Sequence, residues 1–309
     1  MSSLSNQRVA YFNGKIVPES EVRVSFRDRG FKYGDAVFDM TRTFGHRVFK
    51  LKEHVDRFYN SLRYVRIDPG MSPAEMTRLS EEVLERNMHL LAGDDDYWLG
   101  QRVSRGVDAA PGETKEREGA TVIIECTPLP LKSRARLYRD GIDVVVPPTR
   151  RTPPEALSPR AKTHNYLNMI MGELEAKQDD PDVWAVLLDT SGNLAEGIGS
   201  NIFIVKDGAI RTPRAKFVLP GISRQTAIDL ARTEGLPMEE ADIDLFDAYI
   251  ADEIFLTSTS LCIAPVRSVN GAIVADGAVP GPVTQRLIDA YCRFVDFDYV
   301  AQYRRRLTA

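Results

Sequence analysis

Cysteine, histidine and tryptophan are scarce in this chain of 309 residues, with three, four and two copies. Cys126, Cys262 and Cys292 are too few and too scattered to frame disulfides, and no Cys/His spacing matches a zinc site. Long apolar runs are missing, so no segment reads as a membrane span, and the opening Met-Ser-Ser-Leu-Ser-Asn-Gln has no basic-then-apolar leader pattern. Nor does one sign of charge dominate. Forty Lys and Arg stand against 44 Asp and Glu, interspersed, for a formal net charge of −4. That excludes the basic face of a nucleic-acid or membrane-surface protein. The cluster Arg304-Arg-Arg306 reads as a solvated tail. There is no internal repeat, low-complexity tract or Walker motif, and Gly197-Ile-Gly199 lacks the third glycine and the strand–loop–helix setting of a dinucleotide loop. A metal-free cytoplasmic enzyme is expected, and 43% hydrophobic residues over this length suffice for two domains.

What is there is strongly patterned. Val9–Phe12 and Lys15–Val17 flank Asn13-Gly14, the signature of a type I′ hairpin. Ala36–Phe44 and Arg47–Phe49 read as strands. Leu51, Val55, Phe58, Leu62 and Val65 recur at helical spacing, which predicts a helix over 51–66, and a second helix is expected over 73–91 with Ser72 as its N-cap. Strands over 97–104 and 121–126 complete a small N-terminal α/β domain, residues 1–130. Residues 131–140 read as a connector to a larger cofactor-binding domain, 141–309. Its Pro147–Pro159 stretch excludes regular structure. Helices are expected over 165–178, 222–234 (closed by Gly235) and 282–295, and strands over 183–188, 200–206, 209–211, 254–258 and 264–269.

Two residues 34 apart carry the chemistry: Lys162, in Arg160-Ala-Lys-Thr-His-Asn-Tyr166, and Glu196, in Leu194-Ala-Glu-Gly-Ile-Gly199. A lysine attacks a carbonyl only when neutral, so a Schiff-base lysine needs a desolvating or electropositive setting. A pyridoxal phosphate ring needs a carboxylate opposite its pyridine nitrogen to act as an electron sink. By type alone, each residue would be a surface group.

Their setting changes that reading. Lys162-Thr-His-Asn-Tyr-Leu and Glu196-Gly-Ile-Gly-Ser-Asn-Ile-Phe are accompanied, in order, by Tyr33-Gly-Asp-Ala-Val-Phe38, His54-Val-Asp-Arg57, Leu219-Pro-Gly-Ile-Ser-Arg224, Ala251-Asp-Glu-Ile-Phe-Leu256, Thr257-Ser-Thr259 and Ala264-Pro-Val-Arg-Ser-Val-Asn-Gly271. This collinear set, from about residue 30 to 271, resembles the class IV (fold-type IV) pyridoxal-phosphate aminotransferases. That family includes branched-chain, D-amino-acid and (R)-amine transaminases and aminodeoxychorismate lyases. The resemblance implies an α+β fold of two α/β domains, D-amino-acid aminotransferase-like, and a homodimer with its active site at the interface. It implies that Lys162 is catalytic, that Arg57, Ile222, Ser223, Ser258 and Thr259 hold the cofactor phosphate, that Tyr166 bonds the ring oxygen, and that Glu196 bonds the pyridine nitrogen. Asn201 is read as structural, bonding backbone near Gly199, and Arg160 as solvent-facing. The activity implied is ping-pong transfer of an amino group to a 2-keto acid. An aminodeoxychorismate-type lyase is the alternative that needs no acceptor.

The substrate residues depart from the branched-chain pattern. Phe38-Asp-Met-Thr-Arg42 stands where that group has Phe-Glu-Gly-x-Arg, and Gly100 falls where it has an arginine. The pocket is expected to involve Tyr33, Phe38, Met40, Arg42, Gly100 and Arg102. Strand alternation puts Gly100, Arg102 and Ser104 on one face, where Arg102 either binds a substrate carboxylate or pairs across the sheet. Lys115 and Arg117 offer further cations in the loop 107–118. Met40 and Gly100 tilt the donor toward an (R)-amine or D-amino acid with pyruvate. Lys162-Thr-His-Asn-Tyr-Leu and Ala264-Pro-Val-Arg tilt it toward a branched-chain L-amino acid with 2-oxoglutarate.

Overall fold

The computed structural model describes residues 7–114 and 119–307, so Lys115 and Arg117 lie outside the described residues, as does the N-terminal hexapeptide. The chain divides into two compact units. The first comprises the residues up to Leu129 together with Ala161–Asn165; the second comprises Pro130–Arg160 and Tyr166 onward.

The first unit begins with β1 (Val9–Phe12) and β2 (Lys15–Pro18), a hairpin whose Asn13 and Gly14 both take positive φ, 49° and 97°. A short helix α1 (Arg29–Tyr33) follows, absent from the sequence reading because its capping residue Asp28 precedes no apolar period. Then come β3 (Ala36–Phe44), β4 (Arg47–Val48), α2 (Leu51–Val65), α3 (Pro73–Met88), β5 (Tyr97–Ser104) and β6 (Thr121–Pro128). Ser72 caps α3 by accepting the Glu75 N–H. The strands form one antiparallel sheet in the order β2-β1-β6-β5-β3-β4. Alternation assigns its two faces. Val37, Leu99, Val103, Val122 and Ile124 pack with Val55, Phe58 and Leu62 of α2 and Met76 and Val83 of α3 into a single core. Phe38, Met40, Gly100, Arg102 and Glu125, paired in register, occupy the opposite face.

In the second unit, residues 131–140 are no connector. They form α4 (Leu131–Arg134) and α5 (Leu137–Asp140), which bury Leu131, Ala135, Leu137 and Tyr138. The Tyr138 hydroxyl donates to the Leu261 carbonyl. There follow β7 (Ile142–Val145), α6 (Leu167–Ala176), β8 (Trp184–Leu188), β9 (Leu194–Gly197), β10 (Ser200–Lys206), β11 (Ala209–Pro213), α7 (Ile222–Thr233), β12 (Met238–Ala241), α8 (Leu245–Tyr249), β13 (Glu253–Ser258), β14 (Cys262–Val269), β15 (Ala272–Ile273), α9 (Pro282–Val295) and α10 (Tyr299–Arg304). The path runs β12-β11-β10-β13-β14-β7-β8-β9, and β9 pairs with β10 as well as β8. Strands β10, β13, β14, β7, β8 and β9 therefore close on themselves, leaving no free edge among the six. Pro147–Pro159 forms neither helix nor strand. Helix α6 starts two residues later than expected, because Ala161–Asn165 belongs to the first unit. No helix among the described residues is long and apolar enough to cross a membrane.

Candidate active site

In the first unit the site is built on α2 and the start of β3. The buried stripe of α2 runs Leu51, His54, Val55, Arg57, Phe58, Ser61 and Leu62, so three of its members are polar and must find partners inside. Asp39 supplies two of them. Its Oδ1 lies 2.7 Å from His54 Nδ1 and accepts from Arg57 Nη2 at 2.7 Å, while its Oδ2 accepts from Arg57 Nε at 2.8 Å. Asp39 is fully buried. Burial pushes its carboxyl upward, but Arg57 and His54 outweigh that and hold it well below the usual carboxylate range. Burial also pushes the His54 imidazole down, against the pull of Asp39. An acid inside the apolar strand Ala36-Val-Phe-Asp-Met is itself a clue that a cation has to meet it. The partner of Arg57 is this acid rather than Glu53, its i−4 neighbour on the helix.

Ser61 joins this pair to the lysine. Its Oγ donates to the Arg57 carbonyl at 3.1 Å and accepts the Lys162 N–H at 3.0 Å. Residues 162–164 run antiparallel to the start of β3: Phe38 N–H donates to Lys162 O, His164 N–H donates to Ala36 O, and Val37 bridges Thr163. The backbone of Lys162 is thus fixed by both a strand and a helix. Its Nζ sits 4.5 Å from the centroid of the Phe38 ring, on the sheet face away from the core. The same ring meets the Arg102 guanidinium at 5.3 Å and the edge of His164 at 5.3 Å. Burial, reinforced by the charge of Arg102 and opposed by Asp28, lowers His164 to about 4. Arg102 does pair across the sheet: its Nε donates to Glu125 Oε1 at 2.6 Å. Met40 covers Gly100 so closely that a Cβ there would lie 2.5 Å from its sulfur.

Two expected pocket residues are not with this group. Arg42 is fully buried, donating to the Thr43 carbonyl and lying 3.6 Å from Asp96 with its guanidinium over Phe44, so it offers a substrate nothing. Tyr33 ends α1 with its side chain exposed beside Arg29 and Lys32.

In the second unit the site is built where β9, β10 and β13 lie side by side, with Asn201 paired to both Glu196 and Thr257. Glu196 is buried within β9, a strand of four residues that, unlike the β1–β2 hairpin, has no Asn-Gly turn to mark it in the sequence. Its Oε1 accepts from Arg151 Nε at 3.0 Å and its Oε2 accepts the Leu219 N–H at 2.9 Å. Nothing in the sequence singles out Arg151, since it lies in the irregular proline-rich stretch, where no periodicity marks a side chain's direction. Asn201 is structural, but it anchors Leu219 rather than backbone near Gly199: its Nδ2 donates to the Leu219 carbonyl at 3.0 Å. Gly221 follows and opens α7 with no side-chain cap, leaving the first-turn N–H groups of Ile222 and Ser223 to an outside acceptor. A Cβ at Gly221 would lie 2.3 Å from Asn201 Oδ1, so the loop passes the strand at backbone distance. Ser223 is buried. At the end of β13, Ser258 Oγ accepts the Leu261 N–H, and Thr259 is half-buried. Thr257 Oγ1 and Ser200 Oγ are buried without a hydrogen-bond partner among the described residues. Tyr166 stands at the N-cap of α6, half-buried against the cluster of Met169, Ala185 and Leu187. Arg160 is exposed.

In the second unit, an uncapped helix start, buried hydroxyls and a buried carboxylate suit a phosphate-bearing, nitrogen-containing ring; the first unit holds a lysine and a buried arginine. Comparison with known proteins agrees. The family model described as amino-transferase class IV matches residues 36–269. A Methanocaldococcus jannaschii protein carrying the provisional name branched-chain-amino-acid aminotransferase is 36% identical over 282 residues, 91% of this chain and 94% of its own. The crystal structure of the Escherichia coli branched-chain amino acid aminotransferase superposes with a TM-score of 0.85 at 30% identity, covering 94% of this chain and 95% of that one. The T.th. branched-chain amino acid aminotransferase, complexed with N-(5'-phosphopyridoxyl)-L-glutamate, gives 0.82 at 28% identity over 94% of each chain.

Proposed function

The chain belongs to the class IV aminotransferase family, and on that footing we propose that Lys162 is its catalytic lysine and that its amino donor is a hydrophobic amino acid of the branched-chain type. It is a pyridoxal-phosphate enzyme that transfers an amino group to a 2-keto acid. The bound cofactor supplies an electron sink for negative charge at the substrate's α-carbon. The protein's part is to hold groups in place. Lys162 Nζ would carry the cofactor and, as general base and acid, would move the proton at the substrate's α-carbon. Arg57, the N–H groups of Ile222 and Ser223, and the hydroxyls of Ser223, Ser258 and Thr259 are the groups that would bind the phosphate. Glu196, steadied by Arg151 and Leu219, would keep a proton on the ring nitrogen. Tyr166 would donate to the ring oxygen.

The observation that carries the donor assignment is the apolar lining beside the amine: Lys162 Nζ lies over Phe38, and Met40 covers Gly100 on the same face. The names of the relatives point the same way. A second reading, an (R)-amine or D-amino acid with pyruvate, is favoured by one fact: position 100 is glycine, so the arginine of that face is Arg102 instead. The exposed Leu167, Ile170, Met171 and Leu174 of α6 support a homodimer, and the expected compartment is the cytoplasm.

The visible spectrum of the purified, cofactor-loaded protein tests both assignments. Adding L-leucine is expected to bleach the visible band. Bleaching by D-alanine or (R)-1-phenylethylamine alone overturns the branched-chain reading in favour of the second. Lys162→Ala is expected to lack the band, and retention of it would refute the lysine.

A further inference from the structure

We propose that Glu125 is a specificity-determining residue for the acceptor: by occupying Arg102, it leaves this sheet face able to take one carboxylate and not two. The inference rests on the reading that substrate meets the face carrying Phe38, Met40 and the Lys162 amine. Three rungs of the ladder set it up. Phe38 pairs with Arg102, Met40 with Gly100, and Gly100 with Glu125. Gly100 is the centre. A Cβ there would lie 2.5 Å from the Met40 sulfur and 3.3 Å from Glu125 Oε1, so the thioether and the carboxylate close over the glycine from either side. No side chain at 100 reaches the substrate, and the cation of this face is displaced by two residues to Arg102.

Arg102 is not displaced alone. Glu125 Oε1 takes its Nε hydrogen at 2.6 Å, and both side chains keep about a third of their surface open, 36% and 28%. The bond uses Nε, so the two Nη groups remain to grip the α-carboxylate common to every keto-acid acceptor. A second carboxylate, at the far end of a dicarboxylic acid, meets an anion and a thioether. Like charges within several ångströms at a partly open site repel by enough to shift affinity roughly tenfold. The acceptor favoured is therefore a monocarboxylic 2-keto acid.

The test uses the cofactor-loaded enzyme with pyruvate and 2-oxoglutarate as competing acceptor classes. Glu125→Gln removes the charge at nearly constant shape. It is expected to lower the ratio of KM for 2-oxoglutarate to KM for pyruvate about tenfold, with kcat moving less than KM. A ratio within about twofold of the parent, or one that changes through kcat alone, overturns the proposal. Arg102→Gln is the second variant. It is expected to raise KM for both acceptors about tenfold, and an unmoved KM overturns the role of the pair. The donor half-reaction, followed by the visible band without any acceptor, reports on the donor assignment separately. The acceptor comparison then runs with whichever donor bleaches the band, so failure of one assignment does not mask failure of the other.

Discussion

Glu196 and Asn201 hold opposite ends of the same residue. The carboxylate accepts the N–H of Leu219 at 2.9 Å and the amide donates to its C=O at 3.0 Å. The two are paired across β9 and β10, so one rung of the sheet fixes the segment that leads directly into Gly221 and α7. The acid assigned to the ring nitrogen and the helix start assigned to the phosphate are thereby kept in register.

Asn201→Ala is expected to loosen that segment. Losing a buried hydrogen bond and orphaning its acceptor costs about 1–3 kcal/mol, enough to weaken pyridoxal phosphate binding about tenfold. Absorbance titration of the cofactor-free protein measures it, and an unchanged Kd would separate the Leu219 anchor from the phosphate site.

Gly221→Ala probes the same place from the other side. The glycine's φ of −62° suits any residue, so only the 2.3 Å approach of the new Cβ to Asn201 Oδ1 is at issue. The overlap should push the first turn of α7 outward and cost cofactor affinity about tenfold. Full affinity together with full stability would show that the loop gives way freely.

Asp39→Asn leaves the Arg57 charge buried without its counter-ion. Breaking such a pair is expected to cost about 3–5 kcal/mol, visible as a lower urea midpoint. Because the folded carboxyl is held below its ordinary value, its contribution is present above the unfolded value and lost as pH falls through the folded one. The penalty of the variant should therefore be constant from about pH 5 upward.

His164 has the same sign, although here it is the neutral form that the fold keeps. Its folded value of about 4, against an ordinary 6.5, means that the unfolded chain binds a proton the native protein refuses. Stability should fall as pH drops from 6.5 toward 4, by at most about 3 kcal/mol, and level off below. Subtracting the stability–pH curve of His164→Gln isolates this slope. Parallel curves for the two proteins would exclude it.

The long periodic elements were legible in the sequence. Helices α2, α3, α7 and α9 and strands β3, β5, β6, β10 and β13 lie within a few residues of expectation, because each has an apolar period and a capping or turn residue to bound it. The short strands β7, β9 and β12, four residues each, were not legible. They are held by pairing partners remote in sequence, and four residues show no period. Arg57 and Lys162 stand out by motif, and His54 and Asp39 lie within motifs as well, but that these two and Ser61 hold the cations does not show in the sequence. That linkage is made by folding β3 against α2, and in a linear reading Ser61 is only a polar residue on a helix.

The assignment of Ala161–Asn165 to the first unit bears on modularity. The chain leaves that unit at Leu129, spends residues 130–160 in the other, and returns for five residues that complete the hydrogen bonding of β3 at Ala36–Phe38 before departing again. A gene fragment ending at residue 129 would thus encode an unfinished domain, with that rim of the sheet bare and ready to recruit a foreign strand. The enzyme cannot be divided at its apparent boundary: the segment bearing Lys162 is also the seam that closes the smaller half.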